Sequence, residues 1–216
     1  MTTREKIISA ATAHFNQHGF GATSMQELAQ HLGMSRGNLT YHFKDKNLLL
    51  EAIATQLWDR MKVERAKSRQ LPSFQNLHNE IQLYYRFQRE YAFVFLDPHV
   101  LQHPAIQQQF REMTEQTIRD NKAAIAFAIK LGNMEPEKVA GMYHNLAFTT
   151  WMLTFFWLAQ QIIRGEKTGE DGEKMAWSIL IPHFTEKGIQ SFIEFFGESY
   201  YQQLGQPFEI EEFISF

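Results

Sequence analysis

Apolar residues recur at intervals of three and four along most of this chain, the spacing of one face of an α-helix. Nowhere do they alternate with polar residues for long enough to make a convincing strand. Ile7, Ile8, Ala11 and Phe15 set a first helix from Thr3 to about His18, stopped by Gly19. Leu28, Ala29 and Leu32 form the stripe of a second, with Ser24 as N-cap, Glu27 as its capping-box partner and Gly33 as its stop. Ser35 opens a third, short helix whose Leu39 and Phe43 point inward. A fourth is capped by Asp45 and runs to roughly Lys67 on the buried line Leu49, Ile53, Leu57 and Met61. Gln70, Leu71 and Pro72 interrupt it, and the domain boundary is placed there.

The rest of the chain reads as further helices over residues 73–91, 104–131, 137–164 and 172–203. Pro98, Gly132, Pro136 and the polar loop at 164–173 supply the breaks, and Pro182 is expected to kink or divide the last helix. The run AFVFLDPHV has strand propensity as an alternative. The expected fold is all-α.

Residues 24–46 contain two short helices joined by a Gly-containing turn and followed by a basic cluster, which is the pattern of a helix-turn-helix. The second of these helices offers Arg36, Asn38, Thr40, Tyr41 and His42 outward and carries no carboxylate, which suits an anionic groove. Charge follows the same division. Residues 1–69 carry 10 Lys and Arg against 6 Asp and Glu, while residues 70–216 carry 11 against 18, so a basic head is joined to an acidic body. The chain has no cysteine, which excludes a disulfide framework and thiol chemistry. The first residues have no apolar run of signal-peptide length, so a cytoplasmic location is expected.

The spaced series Ile7, Ile8, Ala11, Phe15, Gly19, Thr23, Ser24, Met25, Leu28, Ala29, Gly33, Met34, Ser35, Gly37, Leu39, Tyr41, His42, Phe43, Lys44, Lys46 and Leu49 resembles the TetR family of bacterial transcriptional regulators. The resemblance covers about the first 50 residues. Family members often carry an aromatic residue where this chain has Thr40. The resemblance implies a three-helix DNA-binding domain over residues 1–46, a connecting helix over 47–69, and an all-α regulatory and dimerisation domain over 70–216. It also implies a homodimer, a double-stranded operator, a small-molecule effector, and repression as the more usual outcome.

The expected DNA contacts fall into two groups, since phosphate contacts set position and base contacts set specificity. Ser24 and Gln26 lie at a helix N-terminus, where free N–H groups attract phosphate. Tyr41, His42, Lys44 and Lys46 are expected to clamp the backbone. Arg36 and Asn38 are expected at base edges, with Thr40 offering a methyl to thymine and Ser35 capping the same helix.

In the body, residues 139–163 carry no formal charge, long enough for a membrane span, but His144, Asn145, Thr149, Thr150, Thr154, Gln160 and Gln161 interrupt it. A helix buried partly by its own chain and partly by a second subunit is the preferred reading, and no membrane partner is expected. With Phe156, the residues Ile179, Phe184, Ile189, Phe192, Ile193 and Phe196 are expected at that dimer interface. Tyr84, Phe87, Phe95, Phe110, Met113, Phe148, Trp151 and Phe155 are expected to line an apolar pocket for a hydrophobic or aromatic effector, with His99, His103 and His144 as polar anchors. Two alternatives stand beside this reading: a metal-responsive regulator using Asp97, His99 and His103, and a helical adaptor without DNA binding. The chain has no G-x-S-x-G, phosphate-binding Gly-rich loop or H-E-x-x-H, so no catalytic residue, cofactor or resident metal is expected.

Overall fold

The structure, a computed structural model, describes residues 2–68, 72–164 and 170–206. Most of the 164–173 loop and the interruption at Gln70 and Leu71 lie outside them. The described residues form helices and contain no strand. The N-terminal elements are α1 (Thr3–His18), α2 (Met25–His31), α3 (Arg36–His42) and α4 (Lys46–Ser68). Their starts follow from local side chains. Thr2 and Ser24 each form a complete capping box, with Glu5 and Glu27, and Ser35 Oγ accepts the amide of Asn38. Gly19, at φ 80°, ends α1 in a conformation that side chains rarely adopt.

Next come α5 (Phe74–Glu90), α6 (Ala92–Leu96), α7 (Pro98–Leu101) and α8 (Pro104–Lys130). The run AFVFLDPHV is therefore helical. Asp97 caps α7 by accepting the amide of His99, and Pro98 sits in the first turn, where its missing N–H costs nothing. The later elements are α9 (Met142–Arg164), α10 (Glu170–Leu180), a 3₁₀ turn (Ile181–His183), α11 (Glu186–Phe196) and α12 (Glu198–Gln203). The helix expected from residue 137 begins instead at Met142, because Glu137 stays outside it and its carboxylate accepts the amides of Gly141 and Tyr143. Pro182 falls in the 3₁₀ turn and divides the last expected helix, Thr185 caps the continuation, and Gly197 at φ 91° separates its final turn.

The chain forms two compact units, and α5 and α8 contribute residues to both. One unit comprises the residues up to Ala66 together with Arg86–Glu112. Its core is built from Ile7, Phe15, Leu28, Leu39, Leu49 and Phe87, all fully buried. Asn16 ties α1 to α6 by donating to the carbonyl of Glu90 and accepting the amide of Phe93. Arg60 pairs with Glu90 and donates to Tyr91 Oη, and Arg86 pairs with Glu64.

The other unit comprises Lys67–Tyr85 and the residues from Met113 onward. Trp177 and Phe192 lie at the centre of its core with Ile125, Met134, Leu146 and Leu180, and Phe74, Phe184 and Phe196 pack around them. Glu173, 5% exposed, is the principal buried charge of this unit's interior and is fully engaged. It accepts from Trp177 Nε1 at 3.0 Å and Gln82 Nε2 at 2.8 Å and sits 2.7 Å from His78 Nδ1, so it fixes α10 to α5 and sets the plane of the indole.

Candidate functional site

In the first unit, α3 is anchored from beneath by Leu39 and Phe43, both buried, while Thr40 and His42 are half-buried and the rest of the helix is exposed. Arg36, Gly37 and Asn38 are exposed, and Tyr41 is 85% exposed, an unusual position for so large a ring. His42 is half-buried with its ring edge against Tyr41. Thr40 Oγ1 donates to the carbonyls of Arg36 and Gly37, which leaves its methyl as the group it can present. Ser24 and Gln26 are exposed at the start of α2, and Lys44 is exposed just beyond α3. Apart from Lys46, the residues expected at DNA thus lie on the surface of one short stretch of the unit. The guanidinium of Arg4 lies over the Phe43 ring, 4.9 Å from its centroid.

Lys46 is placed differently from its expected role as a phosphate clamp. Its Nζ donates to the carbonyls of Phe20 and Thr23, both at 2.7 Å, and lies 4.4 Å from the Phe20 ring centroid. Burial holds this ammonium below its ordinary range, against the opposing pull of Asp97 and Glu27. Asp97 grips the same loop from the amide side. Its Oδ2 accepts from Phe20 N at 2.8 Å and Gly21 N at 3.1 Å, while Oδ1 accepts from His99 N at 2.9 Å and lies 3.2 Å from His99 Nδ1. Burial opposes the charge on Asp97, but these bonds outweigh it and hold the carboxyl below its ordinary value. The α1–α2 loop is therefore held by a cation on its carbonyls and an anion on its amides.

Asp97, His99 and His103, considered for a metal, do not converge. Asp97 is occupied by the loop, the His99 ring lies against Gly21, and His103 Nε2 is 3.8 Å from Glu51. Among the described residues, no group of three or more histidine or acidic side chains has the geometry to hold a metal ion.

The second unit contains a partly open cavity of about 520 Å³. It is lined by the first turns of α5 (Phe74, Leu77, Glu80), one face of α8 (Asp120, Ala124, Phe127, Leu131), Thr150 of α9, and Trp177, Leu180 and Phe184. None of the residues expected at an effector lines it. Tyr84, Trp151 and Phe155 border a separate hollow of about 30 Å³, too small for a ligand. Phe87, Phe95, His99, His103 and Phe110 belong to the first unit, where Phe87 and Phe95 are core and Phe110 stacks edge-on against Trp58. Met113 is half-buried, and His144 and Phe148 are exposed. The signal for this cavity was present in α8, where small Ala123 and Ala124 stand one turn from Asp120 and Phe127 and leave space beside them.

The expected interface residues separate as well. Phe192 is a correction: it is completely buried against Trp177 inside its own unit and cannot meet a second copy. Ile179, Phe184 and Phe196 are half-buried against the same core, and Ile189 and Ile193 are half-buried on α11. Phe156 is exposed. With Phe148 and Met152 it forms a ladder of exposed apolar residues four apart along α9, and α11 exposes Phe195. Among the described helices, α9 has the length and apolarity to cross a membrane, and 39% of that window is buried within this chain.

Comparison with known proteins gives concordant matches. Residues 7–53 match the family model "Bacterial regulatory proteins, tetR family", and residues 52–192 match the TetR model "Bacterial transcriptional repressor". The uncharacterised HTH-type transcriptional regulator YhgD of Bacillus subtilis is 27% identical over 138 residues, covering 62% of this chain and 72% of the relative. Several further curated regulators match over only 24% to 31% of their own lengths. The crystal structure of a TetR-family transcriptional regulator from Marinobacter aquaeolei VT8 superposes with a TM-score of 0.80 at 20% identity, covering 93% of this chain and 99% of that one. AibR, in complex with isovaleryl coenzyme A and operator DNA, superposes with a TM-score of 0.58 at 18% identity, covering 71% of this chain and 84% of that one.

Proposed function

The chain belongs to the TetR family of bacterial transcriptional regulators, and from that premise we propose that it is a cytoplasmic, homodimeric repressor whose grip on a pseudo-palindromic operator is released by a small aromatic effector. The observation that carries the reading is α3. A helix anchored by Leu39 and Phe43 that exposes Arg36, Asn38 and Tyr41, and has no carboxylate, is built to enter a major groove. Arg36 is assigned to guanine O6/N7, Asn38 to adenine and the Thr40 methyl to thymine. Tyr41, His42 and Lys44 are assigned to phosphate, with Ser24 and Gln26 at the start of α2. Lys46 is withdrawn from that group, because its ammonium is committed to the α1–α2 loop.

The cavity supports the effector half of the reading, since it has the size and apolar lining of a small-molecule site. Its walls include α5 and α8, which continue into the first unit, and the α6–α7 segment between them carries Asp97 on the α1–α2 loop. A ligand that favours one arrangement of α5 and α8 thereby biases the support of the DNA-binding helices. This is a population shift driven by differential affinity for two conformations. The ladder Phe148, Met152 and Phe156 on α9 supports a face for a second copy. The test is titration of a selected duplex with wild type and Arg36→Ala. Loss of discrimination at one base pair is expected, and equal losses on specific and random DNA would overturn the assignment of α3.

A further inference from the structure

Two tryptophans of this chain show what a buried indole requires. Trp58 Nε1 donates to Gln109 Oε1 at 2.6 Å, and Trp177 Nε1 donates to Glu173 Oε1 at 3.0 Å. Trp151 departs from them: its Nε1 is closed off from solvent and has no acceptor among the described residues. A buried indole N–H ordinarily finds a partner, and one left without it carries a cost that a ligand bringing an acceptor would relieve. The ring has little freedom to turn its N–H outward. It stacks on Phe155, with centroids 5.2 Å apart, and packs against Phe148 at 5.4 Å and edge-on to Phe156 at 6.4 Å.

Trp151 borders the hollow of about 30 Å³ between α5, α8 and α9. By itself that hollow has room for one or two water-sized groups. It adjoins the larger cavity, however, because Leu77, Glu80, Asn121 and Thr150 line both spaces. A molecule seated in the cavity can therefore extend one small polar group into the hollow. The hydroxyl proton of Thr150, between the two, is turned to the carbonyl of Leu146, and Asn121 Nδ2 donates to the carbonyl of Ala147. The larger space is walled by Phe74, Phe127, Trp177 and Leu180, which suit flat apolar rings. Among the described residues its lining has no lysine, arginine or histidine, so an anion would bury its charge without a cation beside it.

We propose that this site takes an uncharged polycyclic aromatic molecule carrying a hydrogen-bond acceptor, such as a ring ketone, with its rings in the cavity and its oxygen accepting from Trp151 Nε1. This inference deepens the regulator reading by naming the ligand class, and it rests on that reading for its regulatory consequence but not for the binding itself.

The test uses the full-length protein without DNA and three tricyclic probes of nearly one outline: 9-fluorenone, which presents a carbonyl, fluorene, which has a methylene in its place, and fluorene-9-carboxylate as the anion. Binding is read by equilibrium dialysis. In a site without a donor, fluorene would bind tighter than fluorenone, because a carbonyl buried without a hydrogen bond is costly. The expected order is the reverse, with fluorenone tighter by about fivefold, the scale of one neutral hydrogen bond, and the carboxylate weakest. In Trp151→Phe, which keeps an aromatic ring and removes the N–H, fluorenone should fall below fluorene while fluorene keeps its affinity, which also reports that the variant is folded. A readout in wild type that does not depend on the variant is the infrared carbonyl stretch of isotope-labelled fluorenone. It should lie at lower wavenumber in the protein than in a hydrocarbon solvent. Fluorene binding as tightly as fluorenone, a ketone preference that survives Trp151→Phe, preference for the anion, an unshifted carbonyl stretch, or no binding of any probe would overturn the proposal. Because the assay contains no DNA, none of these outcomes bears on operator recognition.

Discussion

Asp97 and Lys46 hold the α1–α2 loop from two sides, the carboxylate on its amides and the ammonium on its carbonyls. Asp97→Ala removes the acceptor of three backbone amides, those of Phe20, Gly21 and His99. It should destabilise the protein by about 1–3 kcal/mol in urea unfolding. The Asp97 carboxyl is held below its ordinary value, so its contribution is complete above the unfolded pKa, about 3.9, and disappears as pH falls through the lower folded value. Wild type should therefore lose its advantage over Asp97→Ala only at strongly acid pH, and an advantage constant down to the acid limit would contradict the assignment. The two lysines flanking Asp45 should also part company. Lys44→Ala should lower affinity for all duplexes alike and flatten the salt dependence while leaving stability unchanged. Lys46→Met should lower stability first, because the carbonyls of Phe20 and Thr23 lose their donor. Sequence alone could not make that distinction: a lysine after a helix-turn-helix reads as a phosphate contact, and only the fold brings it within 2.7 Å of carbonyls more than twenty positions away.

Among the elements, the N-terminal helices were legible to within a residue or two because their boundaries are set locally, by Thr2, Ser24, Ser35, Gly19 and Asp45. The later divisions were less so. The boundary at Met142 depends on Glu137 reaching the amides of Gly141 and Tyr143, and periodicity carries no trace of that contact. Packing between α8 and α11 has a similarly hidden requirement. A Cβ at Gly188 would run into the carbonyl oxygen of Asn133, a backbone atom that cannot swing aside. Gly188→Ala should cost about 1–3 kcal/mol, the scale of overpacking, although alanine is the better helix former. Unchanged or raised stability would show that α11 can move away from the end of α8. For α3 the expected outcome concerns recognition: Arg36→Ala should lose about 1–3 kcal/mol of discrimination at a single base pair in competition titrations.

For the whole molecule, the sequence conveyed an all-α chain with a basic helix-turn-helix head, since charge and period are summed over many residues. It did not convey which aromatic residues face solvent, cavity or core. Phe192 and Phe156 both fall on apolar stripes of helices, yet one is sealed against Trp177 and the other is half exposed, a difference made by what lies opposite. The residues expected at an effector lie outside the lining of the cavity for the same reason, because a phenylalanine has the same pattern in a wall as in a core. If the α9 ladder meets a second copy, Met152→Asp with Phe156→Asp should give a monomer in sedimentation velocity and weaken binding to paired half-sites more than to one half-site. A dimer that survives both charges would move the interface elsewhere. The central claim, that this chain reads sequence as a dimer, is tested most directly by selecting bound duplexes from a random library with wild type and with Arg36→Ala at two salt concentrations. The expected result is an enriched pseudo-palindrome, with half-sites roughly 34 Å apart or a multiple of that, which is lost in the mutant. Weak, salt-sensitive binding to every sequence, identical for both proteins, would contradict it.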